Sequence, residues 1–111
     1  MMDAGAVDFM QPSVTKIGGI GPWMRVAREA AACGVAIMPH SLYFGAGLLA
    51  TRHMAAALPG ECMVEIMYRD LAENPFAAAL QPRDGGFVLP DGPGLGREPD
   101  EGAVRRHLQT N

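Results

Sequence analysis

Val35-Ala36-Ile37-Met38-Pro39-His40-Ser41 is a short apolar run with Gly34 behind it and a polar pair in front. A run of this length, bounded by a glycine and a proline, reads as a buried strand. Pro39 has no N–H to give to a sheet ladder, so regular pairing is expected to fail there and the strand to end near it. His40 therefore falls where a buried strand meets a loop. In parallel sheets and barrels covered by helices, the carboxyl ends of strands are where chemistry is placed. A histidine in such a position is either a hydrogen-bonded structural residue or a proton-transfer group, and the surrounding chain has to decide between them.

Upstream, Val7-Asp8-Phe9-Met10-Gln11 is short and largely apolar and is closed by Pro12, which predicts a first strand. Ser13 to Ile17 follow, then Gly18-Gly19-Ile20-Gly21, a turn, with Pro22 suited to the start of a helix. Trp23, Val26, Ala27, Ala30 and Ala31 recur at helical spacing and make one apolar face, while Arg25, Arg28 and Glu29 fall mainly on the other. Gly34 is placed to end that helix. Downstream the pattern repeats. A loop with Tyr43 and Phe44 leads into Leu48–Leu58, which lacks internal Gly and Pro and ends at Pro59-Gly60. Cys62 to Met67 read as a third strand, with Glu65 a lone carboxylate among apolar neighbours. Strand, helix, strand, helix, strand predicts an α/β fold with parallel strands and right-handed crossovers. From Tyr68 the chain becomes irregular. A brief strand is predicted at Phe87-Val88-Leu89 between tight turns, and a short helix from Pro99-Asp100-Glu101 to Leu108. We divide the chain at about residue 70, into 1–70 and an extension over 71–111.

Composition narrows the function classes. An apolar share of 49% against 19% charged residues belongs to a folded domain, and 111 residues make one domain or a piece of one. A formal net charge of −3 gives no electrostatic footprint for nucleic acid, and no segment has the length of a transmembrane helix. Cys33 and Cys62 are too far apart for a metal knuckle or a disulfide framework, which favours a reduced, cytoplasmic setting. The N-terminus has neither the basic nor the apolar segment of a signal peptide. His53 and His107 share no metal-ligand spacing with His40, so no metal ligand is assigned in the chain. Lys16, ahead of a Gly-Gly turn and a helix start, is a candidate anion contact.

The segments Val7-Asp8-Phe9-Met10-Gln11-Pro12-Ser13-Val14-Thr15-Lys16-Ile17-Gly18-Gly19-Ile20, Met38-Pro39-His40-Ser41, His53-Met54-Ala55-Ala56-Ala57-Leu58-Pro59, Val64-Glu65 and Pro90-Asp91-Gly92-Pro93-Gly94-Leu95-Gly96 stand in an order and spacing that resemble the C-terminal part of the enolase superfamily. The subgroup resembled is that of mandelate racemase and muconate lactonising enzyme, with the acid-sugar dehydratases. The resemblance implies the C-terminal portion of a TIM-type (β/α) barrel, three parallel βα units that are strands six to eight, and an extension returning toward the capping domain. It also implies Mg²⁺ chemistry with ligands outside this chain, a missing N-terminal barrel portion as partner, and a small carboxylate substrate, a hydroxy or sugar acid. The reaction implied is abstraction of the proton next to the carboxylate, in a dehydratase or a racemase/epimerase.

By the same resemblance His40 is a general acid/base and Glu65 a substrate contact. Lys16 ahead of its glycine turn and Tyr43 in the loop after the histidine strand are read from their own places in the chain as substrate contacts, the alternatives being turn geometry and a cap on the barrel. The aspartate that orients the histidine in the subgroup falls at Ser13. A serine can hydrogen-bond an imidazole but cannot neutralise an imidazolium. His40 is accordingly expected to lack an anionic partner and to begin as a neutral base. The alternative function reading is a truncated barrel without catalysis. Three barrel strands leave open edges, so the isolated chain is expected to self-associate.

Overall fold

The computed structural model describes residues 1–108, so the last three residues of the expected extension lie outside the described residues. After a 3-10 turn at Met2–Ala4 come β1 (Phe9–Met10), α1 (Ile20–Ala32), β2 (Ala36–Ile37) and α2 (Ala46–Ala56). The short α3 (Ala77–Leu80) and α4 (Glu101–His107) follow. β1 and β2 pair in parallel, Phe9 opposite Ala36 and Met10 opposite Ile37. The ladder is carried by the Ala36 N–H on the Asp8 carbonyl at 3.1 Å and the Met38 N–H on the Met10 carbonyl at 3.0 Å.

α1 is the crossover between them and packs on β2 and α2. Its expected apolar face is buried at Trp23, Ala27 and Ala30, whereas Val26 is half-buried and Ala31 is exposed. Trp23 is fully buried, and its indole N–H donates to the Pro12 carbonyl at 3.0 Å. That bond ties the helix to the end of β1 and satisfies a polar group that burial would otherwise penalise. The helix ends as expected at Gly34, with φ of 69°. The Val35 N–H reaches the Ala30 carbonyl at 2.9 Å and the Gly34 N–H reaches Ala31 at 3.2 Å, the paired bonds of a Schellman cap.

The third strand does not form. Residues 61–67 carry no strand, although they run beside β2 in the same direction. The cause lies in β2. The N–H groups of Ala36 and Met38 face β1, so residues 37, 39 and 41 face the third segment. Position 39 is proline and has no donor. Side chains replace the ladder: the Cys62 thiol donates to the Ile37 carbonyl at 3.3 Å, and the Ser41 hydroxyl donates to the Glu65 carbonyl. Burial pushes the Cys62 thiol above its ordinary pKa, which keeps the proton that this bond needs. The brief strand expected at Phe87–Leu89 is also absent. A tight turn through Asp84 and Gly85, both at positive φ, closes a single antiparallel bridge between Arg83 and Gly86 and goes no further.

Two apolar clusters join the pieces. Val14, Trp23, Ala27 and Met54 form one, and Leu48, Leu49 and Leu80 the other, with the Tyr43 ring packed against both. Gly47 is required here, because a Cβ on it would stand 2.8 Å from Thr15 Cγ2 and 3.2 Å from the Tyr43 ring. The extension is held by a residue that the sequence reading passed over. Arg52, on α2, is only 2% exposed. Its Nη1 donates to the Ala79 carbonyl, its Nη2 donates to the Val88 carbonyl at 2.6 Å, and its guanidinium lies 4.0 Å over the Phe87 ring. Burial lowers its pKa, as desolvation of a cation must. α4 is capped by the Asp100 carboxylate, which accepts from the Ala103 N–H at 2.7 Å. Its last turn is tied to Glu73 through Arg106 and His107, bonds that hold the Glu73 carboxyl below its ordinary pKa.

Replacing Arg52 by methionine keeps most of the stem but leaves the Ala79 and Val88 carbonyls, both partly buried at this contact, without their donor. At about 1–3 kcal/mol for each unsatisfied group, partly relieved by water, Arg52→Met is expected to destabilise the chain by roughly 2–4 kcal/mol in urea unfolding. A loss under about 0.5 kcal/mol, the ordinary size of a neutral surface change, would show that the clamp is dispensable. The outer flanks of the sheet are apolar and open: Phe9 on β1 is 49% exposed and Met63 64%. Sedimentation equilibrium on the chain is expected to show self-association, because such edges recruit further strands. A monomer with one sharp urea transition contradicts this.

Candidate functional site

Parallel pairing sends the ends of β1 and β2 to the same edge, and the loops that follow meet there. After β1 the chain turns at once. The Ser13 carbonyl accepts from the Lys16 and Ile17 N–H groups at 3.1 and 2.9 Å, and the Val14 carbonyl accepts from Gly19 at 3.0 Å. This turn presents Lys16 to solvent beside the loop after β2. There Lys16 Nζ lies 3.3 Å from Nε2 of His40. On the other side of the ring, Nδ1 of His40 lies 3.0 Å from Oε2 of Glu65. The same carboxylate oxygen accepts from the backbone N–H of Ser41 at 3.3 Å. The imidazole is thus held between an ammonium and a carboxylate.

The two contacts together define which nitrogen holds the proton. An ionised carboxylate only accepts and an ammonium only donates. Glu65 therefore requires Nδ1–H, and Lys16 requires a lone pair on Nε2. Neutral imidazole in the Nδ1–H form satisfies both. With side chains 30% and 34% exposed, His40 and Glu65 are sheltered by the fold yet open on one side, as proton exchange with a ligand requires.

Of the five candidate residues, the structure brings three together: Lys16, His40 and Glu65. Ser13 is buried, and its hydroxyl pairs with Thr15 Oγ1 at 3.1 Å rather than with the imidazole. The expectation that His40 lacks a neighbouring anion is corrected, because Glu65 supplies one from the segment after β2. The Tyr43 hydroxyl is also committed elsewhere. It bonds Thr51 Oγ1 at 2.5 Å, and Thr51 in turn donates to the Gly47 carbonyl at 3.0 Å. Its ring serves the core and the wall of a separate recess of about 660 Å³, which Phe44, Tyr68, Glu73 and Leu80 also line and His40 and Glu65 do not. Ser41, which the sequence reading treated only as a loop residue, is the group that anchors Glu65. Its signal was the proline two residues before it, which removes the ladder and frees the next donor on that side for a side chain.

Among the described residues no three His, Cys, Asp or Glu side chains are grouped to hold a metal ion. His53 donates from Nε2 to the Leu95 carbonyl at 3.1 Å, and His107 is bonded to Glu73 at 2.7 Å. Cys33 and Cys62 are both free thiols. Among the described residues no helix is long and apolar enough to cross a membrane.

The chain's relatives are enzymes acting on sugar acids and their lactones. It is 36% identical to the D-galactarolactone cycloisomerase of Agrobacterium fabrum, over 93% of this chain and 30% of that protein. It is 33% identical to the arabinonate dehydratase of Saccharolobus solfataricus, over 86% of this chain and 26% of that one. The chain thus spans less than a third of the length of either relative. A provisionally named mandelate racemase from Bordetella bronchiseptica superposes with a TM-score of 0.78 at 24% identity, covering 99% of this chain and 30% of its own, which supports the fold alone. The model of one family, described as enolase C-terminal domain-like, matches residues 1–103, and the chain belongs to that family.

Proposed function

We propose that this chain supplies the acid/base side of an active site that moves the proton next to the carboxylate of a hydroxy or sugar acid, in a dehydratase or a racemase/epimerase. The observation that carries the reading is the two-sided hold on His40. Glu65 fixes the ring with Nδ1–H toward itself, so the lone pair on Nε2 is the base. When Nε2 takes the α-proton the ring becomes imidazolium, and the carboxylate 3.0 Å from Nδ1 stabilises that charge. The same proton can then go to a departing β-hydroxyl, which leaves as water, or back to the α-carbon.

Lys16 has to leave Nε2 before a C–H bond can approach it. A substrate carboxylate gives its ammonium a better partner than a neutral ring nitrogen does, since it adds the attraction of an opposite full charge to the hydrogen bond. Binding of the acid and exposure of the base are then one event. Both recorded bonds of the Glu65 side chain use Oε2, which leaves Oε1 as an oxygen for a substrate hydroxyl.

Among the described residues the donors present do not make a magnesium site. Mg²⁺ takes oxygen ligands in near-octahedral array, and the carboxylate at the site is Glu65, engaged with His40 and Ser41. A Mg²⁺ of the kind the superfamily uses would be held by carboxylates of a further barrel portion. Strands six to eight of such a barrel are the places we assign to β1, β2 and the segment around Glu65.

The test is solvent deuterium incorporation at the α-carbon of aldonic and aldaric acids, in a barrel completed with the missing strands. His40→Asn is expected to slow exchange by roughly 10²–10⁴-fold, the usual contribution of a general base. Exchange within a few-fold of the parent contradicts the assignment.

A further inference from the structure

We infer that Glu65, and not a group at position 13, is the carboxylate that orients His40, and that the Ser41 N–H holds Glu65 in place for this. The inference rests on the reading of His40 as the base, and it gives Glu65 a positioning role distinct from substrate contact. Three observations carry it. Ser13 is turned to Thr15 and leaves the imidazole alone. Two donors from consecutive residues, Nδ1 of His40 at 3.0 Å and the N–H of Ser41 at 3.3 Å, converge on one oxygen of Glu65. The third is the reason they can converge. Pro39 denies the third segment its backbone donor, so that segment is held to β2 by side chains, and the Ser41 hydroxyl clamps the Glu65 main chain beside His40. A regular ladder would give the Ser41 N–H to a main-chain carbonyl and leave Glu65 without its anchor. The histidine's carboxylate partner is thereby supplied by the segment after the histidine instead of the strand before it.

The structure makes this testable without turnover. In long-range ¹H–¹⁵N spectra of the ¹⁵N-labelled 111-residue chain, at a pH where His40 is neutral, the ring is expected in the Nδ1–H form, its signals assigned by their loss in His40→Asn. Glu65→Leu is expected to lose that preference and give a mixture of tautomers. Glu65→Gln is expected to keep it, because an amide oxygen still accepts from Nδ1–H and from Ser41. Lys16→Met is expected to keep it as well, since Glu65 alone suffices to hold Nδ1–H. His53, bonded to the Leu95 carbonyl, reports in the same spectra that the fold persists. An Nε2–H ring in the parent, or an unchanged Nδ1–H ring in Glu65→Leu, overturns the inference. Should the leucine variant fail to fold, the parent and glutamine spectra decide: Nδ1–H in both supports it, and Nε2–H in either overturns it. A Glu65→Leu ring that stays Nδ1–H would overturn this inference and leave the exchange assay on His40 untouched, and failure of that assay would leave the spectra unchanged, so the two readings fail separately.

Discussion

Two residues of parallel pairing, Phe9–Met10 on Ala36–Ile37, set where the turn carrying Lys16 and the loop carrying His40 stand. Parallel strands end at the same edge, and the crossover helix that joins them cannot be short-circuited by a tight turn. Because of that, residues 24 positions apart, Lys16 and His40, emerge side by side. The pairing is brief, and α1 supports it: Trp23 reaches from the buried helix face to the Pro12 carbonyl, so the helix and the end of β1 are fixed by one indole. The Schellman cap at Gly34 then returns the chain directly into β2.

What was legible in the sequence was what depends on local pattern. The α1 face, the glycine stop at Gly34, the end of β2 before Pro39 and the final helix opening near Asp100 all follow from spacing and backbone chemistry within about ten residues. The parallel order of the first two strands followed from the intervening helix. The third strand was misread for an instructive reason. The sequence of 62–67 is strand-like, but a strand exists only through its neighbour's donors, and the neighbour's outward donor is missing at Pro39. Composition of one segment cannot reveal a vacancy in another. Arg52 was passed over on the same ground: a cation on an apolar helix faces either solvent or main-chain carbonyls of another segment, and only the placement of Ala79 and Val88 decides which.

Three of the five residues singled out in the sequence lie together around the imidazole, but their contacts were not legible. His40, Glu65 and Lys16 were singled out and do meet, whereas Ser13 and Tyr43 have partners in Thr15 and Thr51 that no periodicity shows. The missing aspartate at position 13 suggested a histidine without an anion. A carboxylate from another segment stands 3.0 Å from Nδ1 instead, and our proposal gives it the orienting role because an imidazole answers to charge and distance and not to the strand that delivers them.

The central claim is that an imidazole held by Glu65 on one nitrogen presents the other to the α-carbon of an acid whose carboxylate draws Lys16 away. A crystal structure of the completed barrel with a non-reacting hydroxy-acid bound tests it most directly. The account predicts the α-carbon within about 3.5 Å of His40 Nε2, the ligand carboxylate on Lys16, and Glu65 still on Nδ1. A structure in which Glu65 has left Nδ1 for the ligand, or in which Lys16 stays on Nε2 with the acid bound elsewhere, would contradict it.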